Sequence, residues 1–235
     1  MGSAFNTRGL QNIGLAFALE PGLQRIYSGD FKGLQKARRR HLKLYNAHPF
    51  WNPLLVGLFL SLEGKIARQL FPASTLTNVK TTLVYTLSAI GDSFFSGSLL
   101  VSWSLATVLL LASGQTGLAI ALGAGSFLAL QLFKAYLFYQ GYMRGLSFVD
   151  RLKRWDLINW GGRLKILNSL LVLGVWLVIW PFQWHVLNFV VVCLLALGLT
   201  WTYHRFQWSK ELLLIGIFLC TFLISWEHID FSHLF

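Results

Sequence analysis

Residues 81–112 read TTLVYTLSAIGDSFFSGSLLVSWSLATVLLLA, and this stretch decides the fold class. It exceeds the roughly 20 apolar residues that a transmembrane helix needs, but a Gly-Asp-Ser sequence centred on Asp92 interrupts it. A discontinuous helix is therefore predicted, with a polar break at membrane depth of the kind found in transporters. An aspartate facing lipid would cost about 2.5 kcal/mol or more, so we expect Asp92 to face protein or water and to cap a half-helix. A solvated turn is the alternative, because Gly-Asp-Ser is also a common turn composition.

The composition of the whole chain supports a membrane protein. Of its 235 residues, 55% are hydrophobic and 12% are charged, whereas about 25% are charged in a typical soluble domain. After the crossing that ends at Ala112, four further apolar runs predict membrane helices at 117–139, 164–180, 186–203 and 212–226. The predicted fold is an all-α membrane protein with N-terminal amphipathic interfacial helices, a re-entrant or broken helical element, and about five transmembrane helices.

Three regions follow from this pattern. Residues 1–48 are expected to form cytoplasmic or interfacial amphipathic helices, because charges interrupt them every few positions. Residues 49–98 are expected to form a re-entrant, hairpin-like region with the break at Asp92, since the apolar run 49–62 is too short to span a bilayer. Residues 99–235 are expected to form the transmembrane bundle.

The N-terminal region shows two helical patterns. Leu10, Ile13 and Phe17 follow helical spacing, and Pro21 with Gly22 is expected to end that helix. Between residues 31 and 45 a second helix is predicted, with Phe31, Leu34, Leu42 and Tyr45 on its apolar arc. Its opposite arc is basic and consists of Lys32, Lys36, Arg39, Arg40 and Lys43.

This basic arc favours a helix lying in the membrane interface, with its cations near anionic lipid headgroups. A solvated face that packs on a partner subunit is an equally weighted alternative. Arg38 falls on the apolar arc, so we expect it either to reach the headgroups or to pair with an acidic group.

The net charge of +11 fits the positive-inside rule for membrane proteins and does not require nucleic acid as a partner. Basic residues cluster before the first crossing, between residues 144 and 165, and again near residues 205–210, while the connections at 113–117 and 181–184 are uncharged. This alternation predicts a multi-pass membrane protein with a cytoplasmic N-terminus and an external C-terminus.

Residues that could carry catalysis are scarce. The histidines show no zinc-site spacing, and there is no nucleophile elbow or phosphate-binding loop. Cys193 and Cys220 lie in apolar runs and are expected to pack in the core. We therefore predict no catalytic residue, no metal site and no cofactor.

Four segments of the chain, in the same order, resemble a known family. They are NTRGLQNIGLAFALEPGLQRIY at 6–27, RRRHLKLYNAHPFWNPLLVGLFLSLE at 38–63, VKTTLVYTLSAIGDSFFSG at 79–97 and YQGYMRGL at 139–146. Together they resemble the IID components of the mannose, fructose and sorbose family of the sugar phosphotransferase system.

The resemblance implies that the chain works with a IIC subunit to move a hexose-type sugar across the membrane. It also implies that the sugar is phosphorylated by a cytoplasmic IIB component, which receives its phosphate from IIA, and that this chain is not itself the enzyme. Asn46, His48, Asp92 and Ser93 are then candidates for the substrate pathway or the subunit interface. His48 is interpreted as a hydrogen-bonding residue of the turn at 46–50 and not as a phosphate carrier.

Two other interpretations stay open. In the segment at 79–97, family members often have an arginine and a proline shortly after the glycine that corresponds to Gly97. Here Leu99, Leu100 and Val101 stand in that place. That difference favours a divergent IID-like membrane protein with a structural or regulatory role and no transport. An unrelated membrane enzyme is a weaker third interpretation, because no acid, base or metal cluster is evident.

Overall fold

The computed structural model describes residues 5–179 and positions 190, 194 and 198. This part of the chain is helical, and the all-α membrane fold is confirmed. Its elements are α1 (Asn12–Ile26), α2 (Phe31–His41), α3 (Asn52–Ala67), α4 (Ala73–Gly91), a π-helix (Asp92–Leu99), α5 (Leu100–Ala112), α6 (Thr116–Arg144), α7 (Leu146–Lys153) and α8 (Leu157–Val178). The crossings predicted at 186–203 and 212–226, with both cysteines, lie outside the described residues.

Three helices of the described part are long and apolar enough to cross a membrane: Ala73–Ala112, Thr116–Arg144 and Leu157–Val178. They correspond to the first three predicted crossings. The first helix does not break at the Gly-Asp-Ser sequence, because Gly91 and Asp92 keep helical backbone angles (φ −63° and ψ −46°; φ −62° and ψ −43°). The predicted discontinuity takes the form of a π-helix instead, within a continuous helix of 40 residues.

Helices α5 and α8 pack side by side and run in the same direction. A Cβ atom at Gly161, early in α8, would lie 3.4 Å from the Ser98 hydroxyl oxygen. A Cβ atom at Gly174, later in α8, would lie 3.4 Å from the Leu109 side chain, later in α5. In the chain, α6 lies between α5 and α8 and therefore runs in the opposite direction. The uncharged connection at 113–115 and the basic connection at 145–156 consequently lie at opposite ends of these helices.

Helix α3 forms the centre of the described core. Leu54, Leu55, Leu58 and Phe59 are completely buried on it. It crosses α6 at Gly57, where an added Cβ atom would lie only 2.3 Å from a backbone oxygen of α6. The small residues at 117–126 were expected to allow close helix approach, but Gly123 and Gly125 have open space around them. The close approach of α6 occurs further along, at Gly141.

Helix α1 buries one face in the core and extends beyond the end predicted from the sequence. Leu15, Leu19 and Leu23 are buried, whereas Phe17 is 82% exposed. The helix continues through Pro21 to Ile26. Proline removes one hydrogen bond, to the carbonyl four residues earlier, and here that carbonyl belongs to Phe17, so the helix continues with one backbone bond fewer.

Helix α2 ends at His41, earlier than predicted. Tyr45, predicted on the apolar arc of this helix, lies beyond its end and is completely buried. Its hydroxyl donates to the Asn52 side-chain oxygen at 2.6 Å, and its backbone pairs with Gly9 and Gln11. Tyr45 therefore fixes the N-terminal segment to the start of α3 and does not face lipid.

Candidate functional site

The turn at residues 46–50 packs against α4 and the π-helix. The Ser88 hydroxyl, on α4, joins that helix to the turn. It donates to the Asn46 carbonyl at 3.0 Å and accepts from the His48 amide at 3.2 Å. Pro49 disfavours helical geometry at His48, and the chain bends there before α3 begins at Asn52. The sequence candidates on the turn and on the π-helix are thus brought together.

His48 is the centre of this contact. Its ring stacks on Phe95, with centroids 5.3 Å apart, and its Nδ1 accepts the Phe50 amide hydrogen at 3.3 Å. With Nδ1 accepting, Nε2 carries the proton of the neutral ring and donates to the Ser96 hydroxyl at 3.0 Å. Burial lowers the pKa of His48, against the opposing effect of the Asp92 carboxylate, so the ring is neutral at pH 7. A neutral ring fully occupied by hydrogen bonds agrees with a positioning role.

The π-helix explains how two residues five positions apart reach the same histidine. A Cβ atom at Gly91 would lie 2.6 Å from His48 Cβ, and Ser96 binds the His48 ring. In an α-helix, positions i and i+5 are about 140° apart around the axis. The i to i+5 pairing of a π-helix places them one above the other.

Asn46, on the turn, and Asp92 and Ser93, at the start of the π-helix, have exposed side chains. The capping role predicted for Asp92 is not found, because the helix continues through it and its side chain makes no cap hydrogen bond. Asp92 follows Ser88 by one helical turn, and Ser88 binds the Asn46 carbonyl. The polar ends of Asn46 and Asp92 have no hydrogen-bond partner among the described residues, so both are available to a ligand.

The site lies at the charged edge of an apolar layer. Asp92 divides the uncharged part of the first membrane helix into residues 81–91 and 93–112, and the other two membrane helices have uncharged runs at 117–133 and 166–178. The runs 93–112, 117–133 and 166–178 are each about 20–30 Å long. Lys134 follows Phe133, whose ring centroid lies 6.1 Å from that of Phe95. The charged part of α6 therefore begins level with the π-helix. His48, which stacks on Phe95, therefore lies near the level at which charged residues begin on α6.

A buried charge network lies on the same side of that layer. Glu63 is completely buried and accepts hydrogen bonds from Arg40 at 2.6 Å, from the Tyr27 hydroxyl at 2.6 Å and from His41 at 2.9 Å. Lys80 donates to the Arg40 and His41 carbonyls at the end of α2, at 3.5 and 3.4 Å. The network joins α1, α2, α3 and α4.

The protonation states of this network follow from its geometry. Burial alone would raise the pKa of Glu63, but the hydrogen bonds from His41, Arg40 and Tyr27 lower it to about 2. Burial, together with the nearby charges of Lys80 and Arg40, lowers the pKa of His41 in spite of the opposing effect of Glu63. Glu63 is therefore ionised, Arg40 is its charged partner, and His41 is neutral with its proton on Nε2. The buried His41 Nδ1 has no hydrogen-bond partner. This costs less when Nδ1 carries a lone pair than when it carries a hydrogen, in agreement with the proton on Nε2.

The basic arc of α2 is divided by this network. Lys32, Lys36, Arg39 and Lys43 are exposed, whereas the Arg40 side chain is only 16% exposed because it turns inward to Glu63. Arg38 was expected either to reach the headgroups or to pair with an acidic group, and it pairs with Glu20 of α1. The sequence alone gave no partner for Glu63, because its partners lie 22 to 36 residues away.

Sequence reasoning missed a second polar cluster, formed by Ser98, Ser102 and Asn168 between α5 and α8. The signal available in the sequence was Asn168, a polar residue within the apolar run of α8. No group of three histidine, cysteine or acidic side chains that could hold a metal occurs within the described residues.

Comparison with known proteins agrees with the resemblance. The family model for the IID component of the mannose/fructose/sorbose family of the phosphotransferase system matches residues 1–180. The mannose-specific EIID component of Escherichia coli K12 is 28% identical over 96 residues, which are 40% of this chain and 34% of that protein. The fructose permease IID component of Bacillus subtilis is 24% identical over 97 residues, 41% of this chain and 35% of that protein. The matched region thus spans about a third of the length of these curated relatives.

Solved structures show a shared fold. One membrane-protein structure superposes with a TM-score of 0.70 at 21% identity, covering 96% of this chain and 91% of that chain. The mannose transporter ManYZ, solved by cryo-electron microscopy in complex with microcin E492, gives a TM-score of 0.53 at 20% identity, covering 95% of this chain and 90% of that chain. Because the family model covers residues 1–180, the chain belongs to the IID components of the mannose/fructose/sorbose family of the phosphotransferase system.

Proposed function

We propose that this chain is the IID subunit of a sugar permease that works with a IIC subunit in the bacterial inner membrane. A hexose-type sugar crosses the pair and is phosphorylated on the cytoplasmic side by IIB, which IIA recharges. The chain itself carries no phosphoryl group and is not catalytic. The N-terminus is cytoplasmic and the C-terminus external, in line with the basic connection at 145–156 and the uncharged one at 113–115.

The observation that carries this proposal is the contact between the turn at 46–50 and the π-helix in a chain that belongs to the IID family. The exposed Asn46 amide and Asp92 carboxylate offer donors and acceptors for sugar hydroxyls. His48 and Ser88 hold the turn in place and are themselves occupied. A polar pair on a rigid base at the edge of the apolar layer is suited to bind a sugar entering or leaving the membrane.

The test is sugar uptake by this chain co-expressed with its IIC subunit and supplied with phosphorylated IIB. We expect Asp92→Leu to lower uptake by about 10-fold to 100-fold, because a hydrogen bond to a charged group contributes about 1.5–3 kcal/mol. Asp92→Asn keeps one acceptor oxygen and should lose less. Asp150→Leu removes an exposed acid on α7 and is the matched control, with uptake unchanged.

Two results would contradict the proposal in different ways. Unchanged uptake in Asp92→Leu would remove Asp92 from the sugar site while leaving transport intact. A correctly inserted pair that moves no sugar would contradict transport and favour the structural or regulatory role, to which the sequence Leu99, Leu100, Val101 also points.

We also propose that α1 and α2 rest on anionic lipid headgroups. Arg38 of α2 is paired with Glu20 of α1, and each of these helices has an exposed aromatic residue, Phe17 on α1 and Phe31 on α2. Lys32, Lys36 and Arg39 on α2, and Lys43 just beyond its end, are exposed as well. Apolar side chains flanked by cations fit the boundary between acyl chains and anionic headgroups.

Spin labels at positions 17 and 31, in nanodiscs containing phosphatidylglycerol, test this contact. We expect both labels to be accessible to oxygen and shielded from a water-soluble nickel complex, and less so in purely zwitterionic nanodiscs. Access to nickel would show a solvated face. Shielding from both reagents would show a contact with a protein partner, and either result would overturn the lipid proposal.

A further inference from the structure

Asn168 of α8 binds two groups on the neighbouring helix. Its Nδ2 donates to the Ser98 carbonyl at 3.1 Å, and its Oδ1 accepts from the Ser102 hydroxyl at 2.5 Å. Asn168 and Ser102 are each 8% exposed, and Ser98 is completely buried. Every polar end of the asparagine side chain is thus engaged within the apolar layer, where water cannot substitute.

These bonds fall on the π-helix at its C-terminal end. The Ser102 hydroxyl oxygen lies 3.0 Å from the Ser98 carbonyl oxygen, but its one hydrogen is donated to Asn168. The Asn168 amide is therefore the side-chain donor that competes with the backbone for the Ser98 carbonyl. Side chains inserted in this way disfavour a regular α-helical ladder. The Ser98 hydroxyl donates to the Ser93 carbonyl at 3.1 Å, five residues earlier, which is the spacing of a π-helix.

The geometry of this segment decides what faces His48. Gly91 and Ser96 both contact His48 because they are five residues apart in a π-helix. If the segment became α-helical, Ser96 would turn by roughly a quarter of a turn or more away from the face of Gly91. Gly91 would keep its place, because His48 and Trp51 pack against it.

We propose that Asn168 is a positioning residue for the candidate site. Its two hydrogen bonds keep residues 92–99 in π-helical geometry, and this geometry holds Ser96 against His48. The geometric claim stands independently of sugar transport. Its consequence for transport rests on the proposed function.

Pulsed electron paramagnetic resonance between spin labels at the exposed positions Tyr85 and Val108 tests the geometric claim without sugar. Asn168→Leu removes both hydrogen bonds at similar volume, and we expect the equilibrium between π and α geometry to shift about tenfold, which changes the distance distribution. Ser102→Ala removes one bond and should shift it less. Ser169→Ala, whose hydroxyl binds only its own helix, is the matched control and should leave the distribution unchanged.

Uptake is measured separately on the same variants. A changed distance with normal uptake would support the positioning role and contradict the use of this site in transport. An unchanged distance in folded Asn168→Leu would overturn the proposal. If Asn168→Leu does not fold, the distance measured in Ser102→Ala is the test. An unchanged distance in Ser102→Ala would also overturn the proposal.

Discussion

Gly57→Ala is expected to destabilise the folded protein by about 3 kcal/mol, near the upper end for overpacked cores. The new methyl carbon would lie 2.3 Å from the Phe138 carbonyl oxygen and 2.8 Å from the Tyr142 amide nitrogen. Both are backbone atoms and cannot rotate away. The two helices would have to separate, and the contact between α3 and α6 would open along its length. Thermal unfolding of the purified protein in detergent measures the effect.

Gly141→Ala should have a similar effect, because its Cβ atom would lie 2.4 Å from the Leu54 carbonyl oxygen on the other side of the same crossing. Gly64→Ala is the control on α3. An added Cβ atom there meets nothing within 4 Å, so we expect no loss and a gain of up to about 1 kcal/mol from helix propensity. Equal melting temperatures for Gly57→Ala and Gly64→Ala would contradict the close crossing.

Glu63→Gln is expected to cost about 3–5 kcal/mol, because removing one charge of a buried pair leaves the other uncompensated. Arg40, only 16% exposed at its side chain, would retain its charge beside a neutral amide. The amide would also present hydrogens toward His41 or Arg40, where the carboxylate now only accepts. Chemical unfolding in detergent measures this loss. Glu20→Gln, at the more exposed pair with Arg38, is the control and should cost less than about 1 kcal/mol.

The pH dependence of unfolding gives a second measurement of this network. The pKa of His41 is lowered in the folded state, so its contribution is fully present above its unfolded pKa of about 6.5 and is lost as the pH falls below that value. The pKa of Glu63 is lowered to about 2, so its contribution is lost between about pH 4.5 and pH 2. Glu63→Gln should lack this second loss. A variant that keeps the full acid sensitivity would show that Glu63 is not its source.

The sequence alone was sufficient for the membrane class and for the first three crossings. Hydropathy and length are local properties of a segment, and the apolar runs at 81–112, 117–139 and 164–180 are long enough to require helices in lipid. The resemblance of four collinear segments also identified the family, and it indicated His48 and Asp92 as candidates for the substrate pathway or the subunit interface.

The tertiary structure decided which faces and which partners these residues have. The π-helix at Asp92–Leu99 was not predictable, because its geometry depends on Asn168, which is distant in sequence. The buried face of α1 was not determined by its sequence for a related reason, since Leu15 and Phe17 are both apolar and only packing against α3 selects between them. The partners of Glu63 and the crossing at Gly57 likewise come from separate helices. Local pattern therefore determined that helices form and cross the membrane, whereas contacts between distant residues determined their register, their crossings and the site they build.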